Sequence, residues 1–160
     1  VRIGAAAIGF YNRSIRVPIY GSSECRGWVA RDWTGNATIK YLYPKGMQRA
    51  HILINQDAVT LRTDEPLIVV EGVCDALKFW PTAFAVLGKP AKNHINILLQ
   101  TTRPIVVDLD ADAKDDGWAL STELFLNGKN SKFLELPPGE DPGSVDLNWL
   151  KKSICEVLDA

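Results

Sequence analysis

The sequence predicts an α/β chain: a mainly parallel sheet flanked by helices, preceded by a small basic α+β subdomain. Three observations carry that expectation. From residue 67 onward, short β-branched runs alternate with helical segments at βαβ spacing. Before residue 56, aromatic and β-branched stretches are separated by turn residues, as in an antiparallel hairpin. The charge divides the same way. Residues 1–56 carry eight Lys/Arg against Glu24 and Asp32, a balance of +6, while the remaining ten basic and seventeen acidic residues leave −7. We place the boundary after residue 63, giving a basic region over 1–63 and an α/β region over 64–160.

A chain of 160 residues can hold one ordinary domain, or one with a small companion. With 46% hydrophobic and 23% charged residues it has a globular composition rather than a disordered one. No apolar run approaches the ~20 residues of a membrane span. Val1 to Ala7 lacks a signal-peptide pattern, and a chain beginning at valine is expected to be a piece of something longer. Cys25, Cys74 and Cys155 form no C-x-x-C pair, which argues against a zinc ribbon or a disulfide framework and fits a reducing compartment. They are expected to be buried or inert thiols, and His51 and His94 to be surface or internally satisfied residues.

Ser14 to Tyr20 and Arg26 to Trp33 flank the turn cluster Gly21-Ser22-Ser23-Glu24 and read as a hairpin. A second turn, Thr34-Gly35-Asn36, leads to a third strand over Thr38 to Tyr43, which Pro44 ends. Arg13, Arg16, Arg31, Lys40, Lys45 and Arg49 are interleaved here with Trp33, Tyr41 and Tyr43. That mixture suits a surface that follows a phosphate backbone and stacks bases, although any half-solvated sheet also has a polar face.

Leu67 to Val70 is the first buried strand of the α/β region and ends at Glu71-Gly72, where glycine permits a sharp turn into a helix over Asp75 to Trp80. Ala83 to Leu87 is the next strand, Asn93 to Gln100 a helix, and Pro104 to Val107 the next strand, ending in Asp108-Leu109-Asp110. A helix over Asp115 to Asn127, with Trp118, Leu120, Leu124 and Phe125 as its apolar positions, stops at Gly128. Lys132 to Leu136 is a last strand running into Pro137-Pro138-Gly139-Glu140-Asp141-Pro142-Gly143. Asp146 to Asp159 closes the chain as a helix with Leu147, Leu150, Ile154 and Leu158 on one face.

Ligands of such sheets sit outside the carboxyl ends of the strands, where this chain collects acids: Glu71, then Asp108 with Asp110, then Asp141. Asp108 and Asp110, about 7 Å apart on an extended backbone and on one side of it, repel unless a cation lies between them. Hard oxygen ligands suit Mg²⁺ or Mn²⁺ and, through them, phosphoryl or nucleotidyl transfer. The competing reading makes each acid the N-cap of the following helix. A calcium loop starting at Asp108 fails, because Ala113 and Ala119 stand where glycine and a bidentate glutamate are needed.

Glu71-Gly72-Val73-Cys74-Asp75, Leu87-Gly88 and Asp108-Leu109-Asp110, in that order, resemble the Toprim domain, a Rossmann-like metal-binding fold of primases, topoisomerases and some nucleases. With Arg16-Val17-Pro18-Ile19-Tyr20, Gly27 to Arg31, Lys40-Tyr41-Leu42 and Pro138-Gly139-Glu140-Asp141-Pro142, the pattern is similar to the catalytic core of the bacterial and phage DnaG-type primases over about residues 11–146. The resemblance implies a DNA-directed RNA polymerase that makes short RNA primers from ribonucleoside triphosphates on a single-stranded DNA template. It implies a pair of divalent ions, Mg²⁺ or Mn²⁺, a replicative helicase as partner, no membrane, and the cytoplasm of a bacterium or phage-infected host. Glu71 would be general base or metal ligand, with Asp108 and Asp110 also catalytic and Asp75, Asp108, Asp110 and Asp141 as metal ligands. Arg31, Lys40 and Tyr41, with Arg16, Lys45 and Arg49 less closely aligned, would hold template or nucleotide phosphates.

The chain departs from that family pattern in three places. Gly143 stands where the family has a further aspartate, the glycine after Asp110 comes only at Gly117, and the zinc-ribbon and helical modules are missing. A fragment or a reduced, phage-like version is therefore expected. Two rival readings share the acids: a Toprim-type nuclease, and a single-stranded DNA-binding module with a relic fold. A haloacid-dehalogenase-type phosphatase is disfavoured, because Asp112 stands where it needs Thr or Val.

Overall fold

A computed structural model describes residues 4–6, 14–21, 24–48 and 52–160. The expected roles of Arg13, Ser22, Ser23, Arg49 and His51 lie outside the described residues. Two four-stranded sheets organise the described residues. The first is antiparallel, running β1 (Gly4–Ala6), β2 (Ser14–Gly21), β3 (Glu24–Asp32), β4 (Tyr41–Leu42) in both sequence and space. The second comprises β5 (Leu67–Val70), β6 (Ala83–Ala85), β7 (Ile105–Val107) and β8 (Ser131–Phe133). These strands are all parallel, in the order β6-β5-β7-β8. Helices α1 (Val73–Lys78), α2 (Lys92–Leu98) and α3 (Lys114–Leu126) make the crossovers, and α4 (Leu147–Asp159) follows β8.

Alternation along the parallel strands builds a core on each sheet face. Ile68, Val70 and Val106 face Val73, Ala76, Leu150 and Ile154, together with Val17, Ile19 and Val29 from the first sheet. Leu67, Val69, Ile105 and Val107 face Ile95 and Leu98 of α2 and Leu120 and Leu124 of α3. The antiparallel sheet is thus seated on the same face as α1 and α4. The segment after it also docks on the parallel sheet. Ile54 bridges Ala85, the Asn55 amide donates to the carbonyls of Pro81 and Ala83 (both 2.8 Å), and the buried Arg103 guanidinium donates to the carbonyls of Ala58 and Glu65.

Several elements are shorter than their sequence patterns. The strand expected over 38–43 is confined to Tyr41–Leu42, and Ile39 stays exposed. The strand expected over 83–87 ends at Ala85, because the backbone turns left-handed at Leu87 (φ 55°) and Gly88 (φ 118°). In α3 the buried stripe is Gly117, Leu120, Ser121 and Leu124, at helical spacing. Trp118 and Phe125 lie one step off that stripe and are exposed, contrary to expectation. The three thiols are free and exposed rather than buried. His94 is fully buried, and its Nδ1 accepts from the Ala91 N–H at 3.0 Å.

Gly117 is required by packing. A Cβ there would lie 2.4 Å from Cε2 of Phe133, whose ring also packs on Trp118 with centroids 5.2 Å apart. Gly117→Ala should therefore destabilise the chain by ~1–2 kcal/mol despite the better helix propensity of alanine. Urea denaturation of the two proteins measures this, and an equal or raised midpoint contradicts the packing argument.

Candidate active site

The carboxyl ends of β5, β6 and β7 open on a cavity of about 580 Å³. Glu71, Asp75, Asp110 and Asp141 line it from the parallel sheet, and Arg31, Lys40 and Tyr41 line it from the antiparallel one. Asp108 lies beneath them. Its N–H stays in the sheet ladder, donating to Val69 O at 2.8 Å, while its side chain is completely buried.

The N-cap reading can be tested acid by acid. Asp75 is engaged with a helix start, accepting from the Gly72 N–H at 3.1 Å. Asp141 caps its own loop, accepting from the Ser144 N–H at 2.7 Å. Asp110 sits at the start of the short 3-10 turn Ala111–Ala113, yet its side chain caps nothing. Among the described residues, neither oxygen of Asp108 and not Oδ1 of Asp110 has a hydrogen-bond partner. Capping therefore explains two of the acids and leaves the central pair unexplained.

Local backbone shapes the cluster. Asp75 is clasped between two glycines: a Cβ at Gly72 would lie 2.5 Å from its Oδ2, and one at Gly143 would lie 2.7 Å from its Oδ1. Tyr41 reaches over the same point, its hydroxyl 3.3 Å from the position of a Gly72 Cβ, and carries the Arg31 guanidinium 4.5 Å above its ring. Leu87, a bulky residue at φ 55°, is strained where the backbone passes the cavity.

The remaining candidates are placed differently. Strand alternation puts Arg16 on the sheet face opposite Arg31, its guanidinium 5.3 Å from the Trp28 ring. Lys45 is exposed in the turn after β4 and does not line the cavity. Two lysines escaped sequence reasoning. Lys89, beside the cavity, pairs with Asp116 at 2.8 Å. Lys78, one helical turn after Asp75, donates to the carbonyls of Pro142 (2.8 Å), Gly143 (3.4 Å) and Val145. Nothing in the pattern marked either, because a lone lysine on a short helix or loop reads as a solvated charge.

Burial pushes the Asp108 carboxyl up to about 8, with Asp75 and Asp110 adding to the rise and Lys78 opposing it. Burial, then Glu71, Asp75, Asp141 and Asp112, pushes Asp110 up to about 7. Glu71 is raised by burial and by Asp112, Asp75 and Asp116, and Asp75 by burial and Asp141. Among the described residues no three His, Cys, Asp or Glu side chains stand ready as a closed metal-ligand set. The donors nonetheless fit a hard cation that keeps water and takes only one or two carboxylates, since the orphaned oxygens of Asp108 and Asp110 are what such an ion would satisfy.

Raised carboxyl pKa values mean that the folded chain holds protons which the unfolded chain releases. That contribution to stability is complete below the ordinary carboxylate range and is lost as pH rises through about 7 to 8. In EDTA the melting temperature should fall between pH 5 and pH 8.5, by several degrees. Asp108→Asn should flatten that fall. Identical pH profiles for the two proteins contradict an uncompensated Asp108.

No protein-family model matches the chain. It is 34% identical over 130 residues to the DNA primase of Escherichia coli strain K12, a match covering 69% of this chain and 22% of that protein. The chain thus spans about a fifth of the length of the curated relatives it matches. A solved DnaG catalytic core superposes with a TM-score of 0.70 at 25% identity, over 94% of this chain and 53% of that one. A DnaG primase catalytic domain bound to single-stranded DNA superposes equally well, with a TM-score of 0.70 at 26% identity, over 93% of this chain and 55% of that one. Sequence and fold together place the chain with the catalytic cores of the DnaG-type primases.

Proposed function

We propose that the chain is a DNA primase catalytic core, carrying out metal-dependent synthesis of short RNA primers on a single-stranded DNA template in the cytoplasm. One observation carries the reading: Asp110, with an unpartnered oxygen, lines one cavity together with Glu71, Asp75 and Asp141 and with Arg31, Lys40 and Tyr41 from the basic sheet, and the unpartnered Asp108 is buried beneath it. An acidic floor and a basic, aromatic wall are the two halves of a site for a polyanion held through a cation. Residues 1–63 would supply the wall and residues 64–160, a Toprim-type unit, the floor.

Glu71, Asp75, Asp108, Asp110 and Asp141 would hold Mg²⁺ or Mn²⁺, which when bound lowers the pKa of a primer 3′-hydroxyl and neutralises charge on the α-phosphate and leaving pyrophosphate. Arg31 and Lys40 would hold phosphates of template or ribonucleoside triphosphate, and Tyr41 fixes the Arg31 guanidinium by stacking beneath it. Glu71, half-buried with its pKa raised, is suited to accept a proton from the attacking hydroxyl. A replicative helicase would deliver the single strand.

The second reading, a DNA-binding module that has lost catalysis, draws on Gly143 and on the absence of a closed ligand set among the described residues. Mn²⁺ titration calorimetry separates the two, since a relic should take up no ion.

Primer synthesis on mixed-sequence single-stranded DNA with labelled ribonucleotides tests the proposal, and EDTA should abolish it. Asp108→Ala or Glu71→Ala should reduce incorporation by at least ~10³-fold while leaving the circular dichroism spectrum unchanged. Full activity in both variants rules the reading out. DNA cleavage without nucleotides would instead identify a nuclease. Lys40→Ala should weaken single-stranded DNA binding and reduce the slope of log K against log salt by about 0.7; an unchanged slope removes Lys40 from the phosphate track.

A further inference from the structure

We propose that Lys78 is a positioning residue of the acidic site: it fastens the loop carrying Asp141 to α1 and so holds Asp141 in register with Asp75. The inference rests on the metal-binding reading above and concerns what builds that site in this chain. Asp75 and Lys78 lie on one side of α1, a single turn apart. Asp75 points into the cavity, while the Lys78 ammonium donates to the carbonyls of Pro142, Gly143 and Val145. An ammonium has three protons, and three carbonyls take them all. One short helix therefore grips both walls, one acid directly and the other through the backbone that bears it.

The loop is also held by a backbone bond from the Ala111 N–H to the Glu140 carbonyl at 3.1 Å and by Val145 packing against the core, but it is Lys78 that grips the carbonyls of the stretch directly after Asp141. Ser144 ties it only to itself, through the Asp141 carboxylate, the Asp141 N–H and the Glu140 carboxylate. The close approach at Gly143 makes position matter. With Asp75 Oδ1 and Asp141 Oδ1 at 2.7 and 3.0 Å from the site of a Gly143 Cβ, the two carboxylates converge on one point of the loop. If the loop drifts, that convergence is lost, although the sheet and core remain.

The sign of the effect separates this role from that of a mere charge. A cation close to a metal site repels the metal, so deleting Lys78 as a charge would tighten divalent-ion binding. Deleting it as a fastener weakens binding. Mn²⁺ titrations, with free ion followed by electron paramagnetic resonance, should be run on the 160-residue chain, Lys78→Met, Asp141→Asn and the double variant. Lys78→Met should raise the Mn²⁺ Kd by about 10-fold, in the range found for residues that orient metal ligands. The double variant should bind as Asp141→Asn does, because Lys78 acts through Asp141.

Unchanged or tighter binding in Lys78→Met overturns the proposal, as does a loss that adds to that of Asp141→Asn. Lys78→Arg, which keeps donors for the same carbonyls, should recover most of the affinity; if it binds as weakly as an unfastened loop while melting normally, the proposal also fails. Absence of Mn²⁺ binding by the parent chain would instead overturn the metal-binding reading on which this one rests.

Discussion

A fully buried carboxylate without a hydrogen-bond partner among the described residues is the constraint around which this chain is arranged. Asp108 ends β7, an inner strand of the parallel sheet, with apolar cores on both faces. Burying an isolated charge costs far more than any single side-chain contact returns, so the group must either stay protonated or be answered by positive charge. The neighbouring acids make matters worse, since Asp75 and Asp110 both oppose its ionisation. Lys78 supplies a partial answer from within the fold, but its three protons go to loop carbonyls. With burial raising the Asp108 carboxyl to about 8, a proton can supply the rest, and under the proposed metal-binding reading a cation from solution would take its place.

The order β6-β5-β7-β8 turns that local demand into a place on the molecule. With all strands parallel, Glu71, the Leu87–Gly88 turn and Asp108 reach the same edge of the sheet, and the antiparallel sheet packs over α1's side of it. Because Val17, Ile19 and Val29 are anchored in the core beneath, Arg31 and Tyr41 project from the same sheet face toward the acids. The basic wall is thus set by hydrophobic packing, with electrostatics acting only on what packing has already brought near.

Much of this was legible in the residues. Short β-branched runs between turn formers marked β5 and β7, the two inner parallel strands, and the acids directly after them marked the edge. Less legible were features that depend on side-chain reach or on non-local packing. Arg16 and Arg31 read alike in sequence, and only the strand register shows that they lie on opposite faces. Trp118 and Phe125 look like core residues by type but miss the buried stripe of α3 by one step. Gly117 stands where the sequence only suggested a lengthened loop, and its true reason is the ring of Phe133. Lys78 was invisible because its partners lie more than sixty residues away.

The clasp of Asp75 between Gly72 and Gly143 ties the evolutionary fates of these positions together. A side chain gained at 143 would enter space that the Asp75 carboxylate already fills, and one gained at 72 would meet the same group from the other side. A side chain at 143 therefore requires the Asp75 carboxylate, the free end of a flexible side chain, to turn aside. Substitutions at 72, 75 and 143 should therefore not act independently, because each changes the room left to the Asp75 carboxylate.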